Sequence, residues 1–329
     1  FQKLKEHTKD FGSVLQIDHS SFETQYIPDG WIWQDIGNYY GAGAAGVNWR
    51  ENQYDLTLKS SSKIGDRVEV VAVNGEKPAT YFFNELKSAP KGSGDNAYLY
   101  LPIGHHEPLL RGTIPVDENR FIISGAVYDP ASYLAADFNK YFKTNGDSRW
   151  RNSQVGYSTN KITYPVTVLY THYSPPLDSV IYWFLKKSIN LYGEALIKTF
   201  AWQKNGFGET GEGVAVVRNF WKEQNIASTE INMVDGSGLS PLNRVTTHAQ
   251  VEVLRFAKTQ PWFVGFYNAM PEYNGMKIKS GTISGAKGFC GYHTAADGKE
   301  YIFAFLVNNY NGSANAVVKK MYTVLNVLK

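Results

Sequence analysis

Between residues 65 and 127 the apolar positions fall in short runs with some alternation, at 65–73, 96–101 and 120–127, broken by clusters such as Pro90-Lys91-Gly92-Ser93-Gly94-Asp95. Successive side chains of a strand point to opposite faces, so this spacing predicts antiparallel sheet. A short amphipathic helix is predicted at the start, with Leu4 and Phe11 on one side among Lys and Glu. After Pro175-Pro176 the period changes: Val180, Ile181, Phe184 and Leu185 form one stripe at helical spacing, and Leu191, Ala195, Leu196 and Phe200 form another. Further helices are predicted over 213–224, through Val214, Val217, Phe220 and Trp221, and over 247–258. Strand character returns at 276–283, 288–294 and 300–308, with Asp297-Gly298 as a hairpin signal. A last helix over 313–328 would turn Val317, Met321 and Leu325 inward. Strands, then helices, then strands closed by a helix make an α+β arrangement, divided into a β-rich part, 1–165, and a second part, 166–329.

A chain of 329 residues with 43% hydrophobic content buries a sizeable core and suits about two domains. The 33 basic and 30 acidic residues are interspersed, with no run of five like charges, so nucleic acid is not an expected partner. The 22 Tyr and 8 Trp suit surfaces that are part apolar and part wet, including grooves for peptides or sugars. One cysteine, Cys290, allows no intrachain disulfide, which leaves a bacterial periplasm permitted. No stretch approaches the roughly 18 apolar residues of a membrane span, and no signal-peptide pattern is visible. The chain begins at Phe1 instead of Met, and the expectation is that an upstream segment has been removed.

Three segments carry candidate chemistry. Ser188-Ile189-Asn190 lies where two helical stripes meet, a place where Ser and Asn also serve as plain caps. Lys279-Ser280-Gly281-Thr282 opens the C-terminal strands; such a strand presents an ammonium, two hydroxyls and a backbone N–H along one edge, suited to an anionic peptide terminus. Between them lies a Gly-rich turn, Asp235-Gly236-Ser237-Gly238-Leu239-Ser240. Each alone is an ordinary surface feature.

In this order the three resemble the motifs of serine penicillin-recognising enzymes. Upstream, the stretch Pro28-Asp29-Gly30-Trp31-Ile32-Trp33-Gln34-Asp35-Ile36-Gly37-Asn38-Tyr39-Tyr40-Gly41-Ala42 is similar to a Trp-rich signature of class C low-molecular-mass penicillin-binding proteins, the D-alanyl-D-alanine carboxypeptidase/endopeptidase family. Ile17-Asp18-His19-Ser20-Ser21-Phe22 fits an Ile-Asp-x-Ser-x-Phe element that precedes this signature in the family. The resemblance runs from about residue 12 to the end of the chain.

The resemblance implies the C-terminal part of a transpeptidase-like domain plus β-rich inserted domains. It also implies a reaction on peptidoglycan stem peptides in the periplasm or cell envelope, with β-lactams as inhibitors of the complete enzyme and no cofactor or metal. By the same resemblance, Ser188 relays a proton toward the leaving amine, Asn190 holds the substrate amide, and Lys279 hydrogen-bonds Ser188 and keeps the site electropositive. The hydroxyls of Ser280 and Thr282 hold the terminal carboxylate, Gly281 admits the substrate backbone, the Thr282 N–H forms half of an oxyanion hole, and Asp18 meets a basic group on the stem or simply forms a turn.

Two departures stand out. The family's Ser-x-x-Lys helix precedes the inserted domains and is expected upstream of Phe1, so the chain by itself is expected to be inactive. Ser60-Ser61-Ser62-Lys63, Ser88-Ala89-Pro90-Lys91 and Ser158-Thr159-Asn160-Lys161 have the spacing but sit in strand- or turn-like sequence after the Trp-rich signature. Pro241 stands where some relatives have a basic residue. A non-catalytic module binding wall peptides is the alternative function; a β-lactamase is disfavoured by the long β-rich insertion before Ser188. Gly41-Ala42-Gly43-Ala44-Ala45-Gly46 lacks the strand and helix of a dinucleotide fold and suits close packing. His105-His106-Glu107 lacks the spacing of a zinc pair, and Cys290 is expected to be a buried, inert thiol.

Overall fold

The computed structural model describes residues 1–7, 14–78, 81–104, 106–145, 154–158 and 167–329. Phe11, His105 and Lys161 lie outside the described residues. The fold is α+β. The chain separates into two compact units, Phe1–Tyr173 with Trp202–Glu209 and Ser174–Ala201 with Thr210–Lys329.

The first unit contains α1 (Gln2–His7), β1 (Val14–Asp18), α2 (Trp33–Ile36), β2 (Gln53–Lys59), β3 (Glu69–Val73), β4 (Phe83–Asn84), β5 (Lys87–Ala89), β6 (Asn96–Tyr100), β7 (Leu109–Pro115), β8 (Phe121–Ala126), α3 (Pro130–Thr144) and β9 (Gln154–Ser158). Strands β3, β2 and β8 form an antiparallel sheet. Along β2 the alternation buries Leu56 and Leu58, and these join Val68, Leu86, Leu99, Leu110 and Ile114 in one apolar cluster. Burying each such side chain is worth roughly 1.5–3 kcal/mol, which is why this pattern fixes the register. The expectation of purely antiparallel pairing fails elsewhere: β4 and β5 run parallel to β7, and β1 runs parallel to β9. Strands of two and three residues, as β4 and β5 are, show no period from which direction could be inferred.

The pattern also missed α3, which begins where Asp129 accepts the Ser132 N–H at 3.0 Å and Pro130 occupies the first turn. Both are strong N-terminal signals. Ala131, Ala135, Phe138 and Phe142 form its buried stripe, partly against Ile17. In the Gly/Ala stretch after the Trp-rich segment, Ala42, Ala44 and Ala45 are buried, and a Cβ on Gly43 or Gly46 would collide with the backbone of Tyr26 or His19. The stretch therefore serves close packing.

The second unit contains α4 (Leu177–Lys187), α5 (Asn190–Asn205, its last turn falling with the first unit), α6 (Thr210–Glu223), β10 (Ile231–Asn232), β11 (Arg244–Val245), α7 (Thr247–Lys258), α8 (Phe263–Ala269), β12 (Glu272–Tyr273), β13 (Met276–Ile283), β14 (Ala286–Thr294), β15 (Glu300–Asn308) and α9 (Ala314–Leu325). The sheet has the order β12-β13-β14-β15, antiparallel throughout. One face, with Met276, Ile278 and Phe289, packs on Met321 and Leu325 of α9. Tyr292 lies on the other face, with Leu254 and Met270 and the rings of Phe263 and Tyr267. The turn around Asp297-Gly298 is a five-residue loop, closed by the Ala295 N–H on the Lys299 carbonyl at 2.8 Å, instead of a two-residue hairpin. Among the described residues no helix is long and apolar enough to cross a membrane.

Candidate active site

Helix α4 ends at Ser188, which takes the left-handed conformation, φ 55° and ψ 48°. A residue with a Cβ pays on the order of 1 kcal/mol there, and the reversal stops one helix so that the next can start at Asn190. The break places the exposed Ser188 hydroxyl within reach of a lysine 91 residues further along: Lys279 Nζ donates to Ser188 Oγ at 2.8 Å and to the Ser280 carbonyl, also at 2.8 Å. Burial holds the Lys279 ammonium below its ordinary pKa; Cys290 opposes this and the charge of Lys287 reinforces it. Cys290 is the cross-strand partner of Lys279, and burial pushes its thiol up to about 11, so it stays protonated and unreactive at neutral pH.

The outer edge of β13 is mostly open. Strand β12 pairs only with Met276 and Lys277, and the Ile278 N–H goes outward to the Pro271 carbonyl at 3.1 Å. Period two then turns the N–H groups of Ser280 and Thr282 to the same edge, where no strand among the described residues pairs with them. Gly281 is exposed, and a Cβ on it would meet nothing within 4 Å. On the next strand Lys287 stands opposite Thr282, with Nζ 2.5 Å from Thr282 Oγ1 and 5.0 Å from the centroid of the Phe289 ring. Burial lowers the pKa of Lys287 as well. Sequence reasoning missed this residue, because only the strand register brings position 287 beside position 282.

Residues 235–240 form a closed turn. The buried Asp235 carboxylate accepts the N–H groups of Gly238 and Ser240, each at 2.7 Å, and the Asn243 amide at 2.8 Å. Glu194, wholly buried on α5, accepts the N–H of Gly236 at 3.1 Å and that of Ser237 at 2.8 Å. Desolvation raises the Glu194 carboxyl to about 7, with the charge of Asp235 adding to the rise and the N–H donors opposing it. Gly193 and Gly236 let the helix and the turn touch backbone to backbone, and a Cβ on Gly236 would stand 2.2 Å from the Gly193 carbonyl oxygen.

The remaining sequence candidates are placed as follows. Asn190 opens α5, half-buried. Asp18 ends β1 in the first unit, exposed, with its carboxylate accepting the Ser20 N–H at 2.9 Å in a local turn. Of the misplaced Ser-x-x-Lys matches, Ser60 is buried and donates to the Pro115 carbonyl at 2.6 Å, and Ser88 is buried in β5; neither lies on a helix.

The fold, with its helix-break Ser-Ile-Asn, closed Gly-rich turn and Lys-Ser-Gly-Thr strand, is that of the penicillin-recognising class: the structure of penicillin-binding protein 4 from Haemophilus influenzae superposes with a TM-score of 0.76 at 20% identity, over 95% of this chain and 74% of that one. The chain belongs to the D-Ala-D-Ala carboxypeptidase 3 (S13) family, whose model matches residues 4–272. The match ends before the Lys279 strand, so that strand is assigned by structure and motif. Two curated relatives are each 23% identical: the D-alanyl-D-alanine carboxypeptidase of Actinomadura sp. (strain R39), over 94% of this chain, and that of Haemophilus influenzae, over 93%. The chain spans 62% of the length of the first and 67% of the second. The resemblance to class C low-molecular-mass penicillin-binding proteins is borne out at the level of the family.

Proposed function

We propose that this chain carries the substrate-recognition and proton-transfer part of a serine-type D-Ala-D-Ala carboxypeptidase/endopeptidase of the bacterial cell envelope or periplasm, acting on peptidoglycan stem peptides with a serine nucleophile from outside residues 1–329. The observation that carries this reading is the 2.8 Å contact between Lys279 Nζ and Ser188 Oγ beside the open edge of β13. An ammonium only donates, so Ser188 Oγ accepts from Lys279 and keeps its own proton to give away. When the nucleophile attacks the D-Ala-D-Ala carbonyl and the acyl-enzyme forms, Ser188 passes that proton to the departing amine and takes one from Lys279. Burial, which disfavours the charged lysine, makes this transfer easier. The Thr282 N–H stabilises the developing oxyanion, a contribution of about 3 kcal/mol for such a donor. The hydroxyls of Ser280 and Thr282 hold the terminal carboxylate, Asn190 holds the substrate amide, and the role proposed for Asp18 is recognition of a basic group on the peptide stem.

A fluorescent penicillin tests where the nucleophile lies: no label surviving denaturation is expected on this chain, and a covalent band would place the nucleophile within it. Calorimetric titration with an acetylated tripeptide ending in D-Ala-D-Ala tests the site itself. Lys279→Ala is expected to weaken binding about tenfold or more, the effect of losing a charged hydrogen-bond donor.

A further inference from the structure

Two lysines, not one, stand at the open edge of β13, and each donates to a hydroxyl oxygen: Lys279 to Ser188 and Lys287 to Thr282. We propose that Lys287 is a specificity-determining residue: its ammonium fixes the Thr282 hydroxyl as a donor and selects ligands that end in a carboxylate. This rests on the proposed function above and names a residue that neither the motifs nor the family match includes.

Thr282 and Lys287 are direct cross-strand partners, so their side chains emerge on the same side of the sheet. A free threonine hydroxyl can donate or accept and discriminates poorly between an acid and an amide. With Lys287 Nζ 2.5 Å away, Thr282 Oγ1 must accept from the ammonium, and its own proton is turned to whatever lies at the edge. The outward N–H groups of Ser280 and Thr282 are donors too. An ionised carboxylate only accepts hydrogen bonds and matches these donors, whereas a carboxamide brings an NH2 group that opposes the Thr282 hydroxyl proton and the outward N–H groups.

Charge points the same way. Among the described residues no carboxylate lies within 4.0 Å of either lysine ammonium, so the edge holds two positive charges without a counter-ion. Each lowers its pKa by being partly buried, and the charge of Lys287 is felt at Lys279. The Lys287 ammonium lies over the Phe289 ring, an arrangement that steadies a cation without neutralising it. An arriving carboxylate gives the Lys287 ammonium beside Thr282 a counter-charge, and a neutral amide does not.

The experiment titrates the chain with the acetylated D-Ala-D-Ala tripeptide as the free acid and as its C-terminal carboxamide. The wild type is expected to prefer the acid by about tenfold or more, and Lys287→Met to reduce that preference to about twofold or less. Lys287→Arg should restore most of the preference. With the wild type, the preference should also fade as pH rises through the lowered pKa of Lys287, and with Lys287→Arg it should persist; this reading needs no folding-sensitive variant. An acid preference that survives Lys287→Met overturns the inference and leaves the proposed function standing. Should the wild type bind neither peptide, or should Lys279→Ala bind both as the wild type does, the reading beneath it is lost and the inference with it.

Discussion

Residues 235–240 and 279–282 are both short segments rich in Gly, Ser and Thr within one unit, and they use their backbone in opposite ways. In the first, the N–H groups of Gly236, Ser237, Gly238 and Ser240 all end on the carboxylates of Glu194 and Asp235. In the second, the outward N–H groups lie along an edge with which no strand among the described residues pairs, and the nearby charges are the ammonium groups of Lys279 and Lys287. A concave run of N–H donors attracts anions. The turn carries its own acceptors, buried within the fold, and the strand edge is left for an anion that arrives from solution. Small-residue composition does not separate structure from binding here; the sign and position of the neighbouring charges do.

This contrast can be broken most forcefully at Asp235. Replacing it by Ala strands the N–H groups of Gly238 and Ser240 and the Asn243 amide, and should cost about 4 kcal/mol in urea unfolding. Next comes pH. The Glu194 carboxyl is raised by burial to about 7 from an ordinary 4.5, so the folded state binds a proton that the unfolded state releases. Its contribution to stability is therefore complete below about pH 4.5 and is lost as pH rises to 7, by about 3 kcal/mol. Unfolding midpoints measured across that window should fall, and Glu194→Gln should flatten the slope. Gly236→Ala forces a Cβ against the Gly193 carbonyl and should cost about 2 kcal/mol. Gly281→Ala is the sharpest control: its Cβ enters open space, so stability should change by less than about 0.5 kcal/mol while affinity for the D-Ala-D-Ala peptide falls. Large destabilisation at 281, with none at 236, would reverse the assignment of the two segments.

The helices were legible because their spacing is local: Val180, Ile181, Phe184 and Leu185 lie on α4, and Leu191, Ala195, Leu196 and Phe200 on α5; yet the face α5 buries is another, with Leu191, Glu194, Ile197, Lys198 and Ala201, and Phe200 is exposed. So were β13 and β15, whose runs of eight and nine residues are long enough to show a period. Helix α3 was hidden by its position among strands, although Asp129-Pro130 announced it. Of the candidate site, the residues embedded in recognisable motifs could be read from the sequence. Lys287 could not, because its relation to Thr282 exists only once β13 and β14 are in register. The Asp235 turn was read as a turn, but the burial of Glu194 beneath it was not, since a lone Glu on a helix looks like a solvated one.

The left-handed backbone of Ser188 sets protein engineering for robustness against the proposed chemistry. Glycine adopts φ near 55° freely, so Ser188→Gly should gain about 0.5–1 kcal/mol while deleting the hydroxyl that Lys279 addresses. A heat-resistance screen of random variants would therefore enrich glycine at this position, whereas a screen for activity would keep serine there in spite of its cost.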